Sequence, residues 1–415
     1  MTLEGAGSTQ GGDDDRDLPL PTTVLEPADA WQTLEALRLG VVPARGVREY
    51  TVAREKELAS VQELLDQRHG CRVIWGDYGT GKTHLLDAAQ QLALEQGFAT
   101  ARLTLDPREQ ALHHPLRLYR HIAESIRTSD RTSAGFETLF ERLADSPDHS
   151  LWGGPQCSRF FSPYLYALRH GEEDCIGWLR DYVRGDNIDS YEVNKVLARM
   201  GWPGPRALRM PDFRTFGRMY VHLVGTLASW CADAGSKGLV LLFDEVERVD
   251  ALAKNDQAYA FEVLRHYAAV TIEPEDLAFD PEELYKGGHA VHREIPLRFR
   301  DDQPLSTIFA LTPLEEIEES FGGVTASDRY DLRLASLRRS DLPPLITRIA
   351  AIFRQAYPDC EVAPEVRERI IEQVADHLEE GHDSFRSAVR AAVFLLDAER
   401  FGAGQDEGFI DQSDW

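Results

Sequence analysis

Residues 71–96, CRVIWGDYGTGKTHLLDAAQQLALEQ, decide the fold. Cys71 to Trp75 is a short apolar run suited to a buried strand. Gly76-Asp77-Tyr78-Gly79-Thr80-Gly81-Lys82-Thr83 meets G-x-x-x-x-G-K-[ST] at every fixed position. From His84 to Gln96, the spacing of Leu85, Leu86, Ala89, Leu92 and Ala93 predicts a helix with one apolar face, and Gly97 stops it. Strand, loop and helix in that order cradle phosphate. Glycines let backbone N–H groups turn inward around phosphate oxygens, and the helix N-terminus adds its dipole. The reading is ATP held by Gly76 through His84, with Lys82 reaching the β- and γ-phosphates and Thr83 ligating Mg²⁺. The competing reading is a glycine-rich turn that matches by chance; the flanking strand and helix count against it.

The rest of the chain is consistent with a large folded protein. It has 415 residues and 43% apolar content, enough for two or three domains. No apolar run is long enough to span a membrane. The N-terminus, MTLEGAGSTQGGDDDRDLP, lacks the basic start and apolar core of a signal peptide and reads as a disordered acidic leader over residues 1–25. Five scattered cysteines without a C-x-x-C pair argue against a zinc cluster or disulfide framework, and fit a reducing cytoplasm. The net charge of −25 repels DNA, so any contact with it must come from a local basic patch or a partner. The same acidity also serves as a plain solubility device.

A second site lies downstream. Gly238-Leu239-Val240-Leu241-Leu242-Phe243-Asp244-Glu245 is an apolar strand ending in two acids. Phosphate-loop enzymes need an acid at the end of a neighbouring strand to hold Mg²⁺ through water, and Asp244 fits. Glu245 is suited to polarise the attacking water. An ordinary core strand with acids at its exposed end is the alternative. Asp244 lies 162 residues after Lys82, far more than one strand–helix–strand unit needs. After a strand at Phe98–Leu105, residues 107–236 read as a helical insertion, including LRLYRHIAESI, FETLFERLA, YLYALRHG and FGRMYVHLVGTLASWCA. A third strand, Leu305–Leu311, ends at Thr312-Pro313. Thr312 is either a sensor of the γ-phosphate or a simple helix N-cap.

The order of phosphate loop, acid-bearing strand, strand with a polar end and helical tail resembles an AAA+ ATPase. This implies an α/β fold: a P-loop NTPase parallel sheet flanked by helices, with a large helical insertion and an all-helical C-terminal lid. The segment GVVPARGVREYTVAREKELASVQELL, residues 40–65, is similar to the lead-in of the origin-recognition and STAND-like branches. That similarity implies that Val52, Arg54 and Glu55 pack against adenine. Where the related segment commonly has glycine, this chain has Ala53. More narrowly, LRLGVVPARGVREYTVAREKEL, GDYGTGKTHLL, DPREQALHHPLRLYRHI and SFRSAVRAAVFLLD resemble the ATP-binding proteins of bacterial BREX phage-exclusion loci. The resemblance implies an ATPase in antiphage defence, working on DNA beside helicase or methyltransferase partners.

The expected domains are an ATPase domain over 26–330, a helical lid over 331–403 and an acidic tail at 404–415. The lid helices are LITRIAAIFRQAY, PEVRERIIEQVADHL and SFRSAVRAAVFLLDAER. By its position in the resembling motif Arg386 is the lid arginine that reaches the γ-phosphate, with Arg390 next; both also read as solvated helix-face charges. Nucleotide-dependent self-association would call on an arginine from a neighbouring copy. HREIPLRFR, residues 292–300, offers Arg293, Arg298 and Arg300. Finally, GWPGPRALRMPDFRTFGRMY, residues 201–220, sets Arg206, Arg209, Arg214 and Arg218 against Asp212 alone, interleaved with Trp202, Phe213, Phe216 and Tyr220. That mixture suits phosphate contact and base stacking, an acidic partner, or intramolecular pairing. The leading expectation is a cytoplasmic AAA+-like ATPase acting as motor or switch with a protein partner such as a helicase. The alternatives are a STAND-type signalling switch holding ADP, or an ATPase scaffold that regulates a helicase or nuclease without touching DNA.

Overall fold

Apolar runs become buried strands here because the sheet is covered on both faces. The computed structural model describes residues 24–402 apart from 44, 109–111, 130–134, 147–149, 155–156, 172, 187, 287–289 and 380–384. The expected leader, but for its last two residues, and the tail at 404–415 lie outside the described residues. So do residues 44, 109–111 and 384 of the segments that carry the resemblance.

The strands are β1 (Gly70–Trp75), β2 (Ala99–Thr104), β3 (Leu239–Asp244), β4 (Leu305–Leu311) and β5 (Asp331–Arg333). They form one parallel sheet in the order β2-β3-β4-β1-β5. Alternate side chains feed two cores. Cys71, Val73, Trp75, Leu241, Phe243 and Phe309 enter the larger one. Ile74, Val240, Leu242, Ile308 and Ala310 enter the other, against Leu85, Leu86, Ala89 and Leu92 of α3 (Lys82–Glu95) and Val61 and Leu64 of α2 (Glu55–Gln67).

Between β2 and β3 the chain is helical: α4 (Pro115–Ser125), α5 (Phe136–Ala144), the short α6 (Ser150–Gly153), α7 (Ser162–His170), α8 (Glu173–Arg184), α9 (Ser190–Met200) and α10 (Gly217–Asp233). An aromatic cluster joins them. Trp230 of α10 lies 5.3 Å from the ring of Phe140 and 5.7 Å from that of Phe161. Helix α10 is buried on nearly all sides, as a helix inside a large core must be apolar all round. After β3 come α11 (Lys254–Thr271), the short α12 (Ala290–Arg293), β4 and α13 (Glu315–Gly322). The sheet therefore sits between two helical layers, with the expected insertion in place.

Three helices close the described chain: α14 (Leu342–Ala356), α15 (Pro364–Glu379) and α16 (Phe385–Arg400). The chain divides into two compact units. One holds Ala53–Leu337 and Leu378–Ala388, with the sheet. The other holds the residues up to Val52, then Arg338–His377 and the chain from Val389 onward. Residues 26–52, expected with the sheet, fall in the second unit because α1 (Pro27–Arg38) packs its buried Ala30, Leu34 and Leu37 along α14. Within that unit Arg38 makes a two-pronged pair with Asp397, at 2.6 and 2.8 Å, and donates to the Tyr357 hydroxyl at 3.0 Å.

Candidate nucleotide site

The phosphate-binding loop follows directly from β1. The Gly76 amide donates to Leu311 O at 3.1 Å, fastening the start of the loop to the end of β4. A turn then closes, with Thr80 donating to Asp77 O through its hydroxyl at 2.8 Å. Gly76 is forced by space: a Cβ there would stand 2.5 Å from Thr80 Oγ1. Gly79 and Gly81 are forced by conformation, with φ of 86° and 93°. Tyr78, at the loop's apex, is 92% exposed. Lys82 opens α3 with Thr83 behind it, half-buried, and then buried His84.

The strand order corrects one expectation. The acid-bearing strand β3 is not the neighbour of β1; β4 lies between them. Thr312, one residue past the end of β4, is consequently central. Lys82 Nζ donates to Gly76 O at 2.7 Å, to Asp77 O at 3.2 Å and to Thr312 Oγ1 at 3.0 Å. The Thr312 hydroxyl in turn donates to Glu247 Oε1 at 2.5 Å. Burial holds the Lys82 ammonium below the usual lysine range, opposed by nearby carboxylates, Glu247 first, then Asp244, Asp77 and Glu245.

At the end of β3, Asp244 is buried and doubly engaged. Its Oδ2 accepts from Arg102 of β2 at 2.8 Å, and its Oδ1 from the Glu245 amide at 3.0 Å. Arg102 also pairs with Asp87 of α3. Burial, with Asp244 close by, pushes the Asp87 carboxyl up to about 6 despite the Arg102 guanidinium. Glu245 has the left-handed φ of 57°, and its carboxylate pairs with Arg248. Thr83 and Asp244 offer hard oxygen donors of the kind Mg²⁺ takes. Among the described residues no group of three or more His, Cys, Asp or Glu could hold a metal alone. The donor set therefore fits an ion shared with phosphate oxygens.

Other predicted residues are placed differently. Arg54 is expected at adenine, but its guanidinium donates to the carbonyls of Ala53, Thr80 and Ala335 at 2.8, 2.8 and 2.9 Å. It braces the loop. Ala53 has φ of 53°, the region glycine enters freely, so the departure from the related segment is a residue held in a glycine-like conformation. Arg386 is exposed, one residue beyond Phe385. The Phe385 amide donates to Gly79 O at 3.1 Å, and its ring stands 4.6 Å from that of His84. Burial, with Arg54 adding to it, pushes the His84 imidazole down to about 3.

The arginine-aromatic cluster does not form one surface. Phe216 and Tyr220 are buried, the latter donating to Pro211 O at 2.9 Å. Arg214 pairs with Asp256, and half-buried Arg218 donates to Ile295 O at 3.1 Å. Arg206, Arg209 and Phe213 stay exposed. Of the arginines at 292–300, Arg300 pairs with Asp233 at 2.7 Å and Arg298 donates to Ala269 O at 3.3 Å, while Arg293 is exposed. Sequence reasoning missed Arg102, Glu247 and Arg248. A charged residue inside the strand ATARLT was the available signal for Arg102; nothing marked Glu247.

A parallel sheet flanked by helices and carrying this loop is an α/β P-loop fold. Residues 25–149, which contain the loop, match the family described as BREX system ATP-binding protein BrxC/D. Over that stretch the resemblance to BREX ATP-binding proteins holds. No curated protein matches the chain. Among solved structures it is similar to the ORC1 protein of Aeropyrum pernix in complex with DNA, at 14% identity and a TM-score of 0.37. That match covers 88% of this chain, which spans 64% of the other's length. Among the described residues no helix is long and apolar enough to cross a membrane.

Proposed function

We propose that the chain binds ATP with Mg²⁺ and hydrolyses it, as the motor or switch of a BREX-type antiphage defence complex in the cytoplasm. The observation that carries this reading is the meeting of Lys82, Thr312, Glu247 and the Asp244–Arg102 pair beside a phosphate-binding loop. The family match over residues 25–149 supports the BREX setting. In this reading Gly76 through Thr83 wrap the phosphates, and His84 and Arg54 keep the loop in shape. Lys82 leaves the carbonyls of Gly76 and Asp77 for β- and γ-phosphate oxygens. Thr312 reads the γ-phosphate, and Arg386 approaches it from α16. Glu245, released from Arg248, takes the proton of the attacking water. Thr83 and Asp244 would hold Mg²⁺, which when bound neutralises phosphate charge.

The test is nucleotide binding and steady-state hydrolysis by the purified chain, with and without double-stranded DNA. Lys82→Ala is expected to lose ATP retention, and Glu245→Gln to bind ATP without turnover. Unchanged affinity in the first, or wild-type turnover in the second, removes that residue's role.

A second reading, an ATPase that regulates a partner helicase or nuclease without touching DNA, is favoured by one observation. Arg214 and Arg218 are half-buried and engaged by Asp256 and Ile295 O, leaving Arg206 and Arg209 as the exposed arginines of the cluster. Hydrolysis indifferent to DNA would support it. Stimulation lost in Arg206→Ala/Arg209→Ala would overturn it.

A further inference from the structure

Glu247 belongs to no motif, yet its carboxylate is linked to the loop lysine through a single hydroxyl. Its Oε1 accepts the Thr312 hydroxyl proton at 2.5 Å, and the same hydroxyl oxygen accepts from Lys82 Nζ at 3.0 Å. Its Oε2 is buried and has no hydrogen-bond partner among the described residues. A buried carboxylate oxygen without a partner is costly, so Glu247 relies on its contact with Thr312 and, through it, with Lys82.

Lys82 and Thr312 are also assigned to the γ-phosphate. A hydroxyl has one proton to donate, so Thr312 cannot give it to Glu247 and to a phosphate oxygen at once. We propose that Glu247 sets the preference between ATP and ADP, by holding Thr312 and Lys82 with an internal anion that the γ-phosphate must displace. This rests on the nucleotide reading above. ADP recruits Lys82 to its β-phosphate but brings no new charge beside Thr312. ATP must take the Thr312 proton and place its terminal charge next to a carboxylate that has just lost its partners. Glu247 therefore weakens ATP more than ADP, and acts as a positioning residue through Thr312 and Lys82.

The experiment measures dissociation constants of ATP and ADP with Mg²⁺, using their fluorescent analogues, for the wild type, Glu247→Gln and Glu247→Ala. Glu319→Gln, an exposed acid of α13, serves as the control for net charge. Glu247→Gln keeps the shape of the side chain and removes its charge. ATP affinity is expected to rise about tenfold relative to ADP, which corresponds to about 1.4 kcal/mol. Glu247→Ala should move the ratio in the same direction, and the control should leave it unchanged. Equal changes for both nucleotides would overturn the proposal by reducing Glu247 to a structural residue. A loss of affinity for ATP alone would also overturn it, making the carboxylate a helper of the phosphate or its metal. If the wild type bound neither nucleotide, the reading of the site itself would fall. If it bound both and the ratio stayed fixed in Glu247→Gln, only this inference would.

Discussion

Arg102→Met tests how the sheet holds its acids together. The guanidinium bridges Asp87 and Asp244, at 2.8 Å from the latter, with the three side chains 17%, 22% and 4% exposed. Methionine keeps the length and removes the charge, leaving two carboxylates beside each other in a nearly dry site. Removing one partner of a buried pair costs about 3–5 kcal/mol, and the partial exposure of Arg102 and Asp87 places this one near the lower end. A loss of about 3 kcal/mol lowers the thermal midpoint by about 6 °C for a unit of this size. The pH dependence is the sharper readout. The Asp87 carboxyl already stands at about 6, above its ordinary value of 3.8, through burial and Asp244 and in spite of Arg102. A group raised in the folded state favours folding below its unfolded value, and that contribution is lost as pH rises through the folded value. Without Arg102 the carboxyl moves further up, so the variant's deficit should be larger at pH 8 than at pH 5.5. The assay is scanning calorimetry of both proteins at the two pH values. A midpoint within about 1 °C of the wild type at pH 8, or a deficit that does not shrink at pH 5.5, would refute the reasoning.

Other perturbations follow from single contacts. Gly76→Ala brings a Cβ to 2.5 Å from Thr80 Oγ1, and overpacking of that kind costs about 1–3 kcal/mol; ATP affinity should drop at least about tenfold, with partial recovery on adding Thr80→Ala. If the double variant binds no better than the single one, the clash is not the cause. Ala53 has φ of 53°, so stability should fall in the order Ala53→Gly, wild type, Ala53→Val, with steps of roughly 0.5–1 kcal/mol; urea midpoints in the reverse order would remove the strain argument. His84 is buried neutral, its imidazole at about 3 against an ordinary 6.5. Its contribution is intact above pH 6.5 and lost as pH falls toward 3, about 2 kcal/mol by pH 5. His84→Gln should flatten the fall in urea midpoint between pH 7 and 5, and an unchanged slope would show that other groups drive acid unfolding.

Much of the molecule was legible because its signals are local. The strand, loop and helix around Lys82 are contiguous, and the acid-bearing strand announces itself by a long apolar run ending in Asp244 and Glu245. What was not legible depends on which strands lie side by side. Pairing of β1 with β4 brings Thr312 to Lys82, pairing of β3 with β4 brings it to Glu247, and pairing of β2 with β3 brings Arg102 to Asp244. No spacing in the sequence encodes those neighbours. Strand β5 is three residues, DLR, too short to show a period. Which of the three readings the arginine-aromatic cluster takes was not legible for a different reason. Phe216 lies just before α10 and Tyr220 in its first turn, four apart, and both are drawn into the core that surrounds that helix.

The parallel register of the sheet also says where this protein can change length. Thr104 stands opposite Asp244, Phe243 opposite Phe309, and Trp75 opposite Leu311. A single residue gained or lost inside any of these strands would turn every later side chain to the opposite face. Arg102 or Asp244 would then leave the chemistry altogether. The long helical passage from β2 to β3 carries no such alignment. Related chains can therefore lengthen, shorten or rebuild α4 through α9 while keeping the same four strand ends in step, so kinship should be sought in the strand ends and diversity of partners in the helices between them.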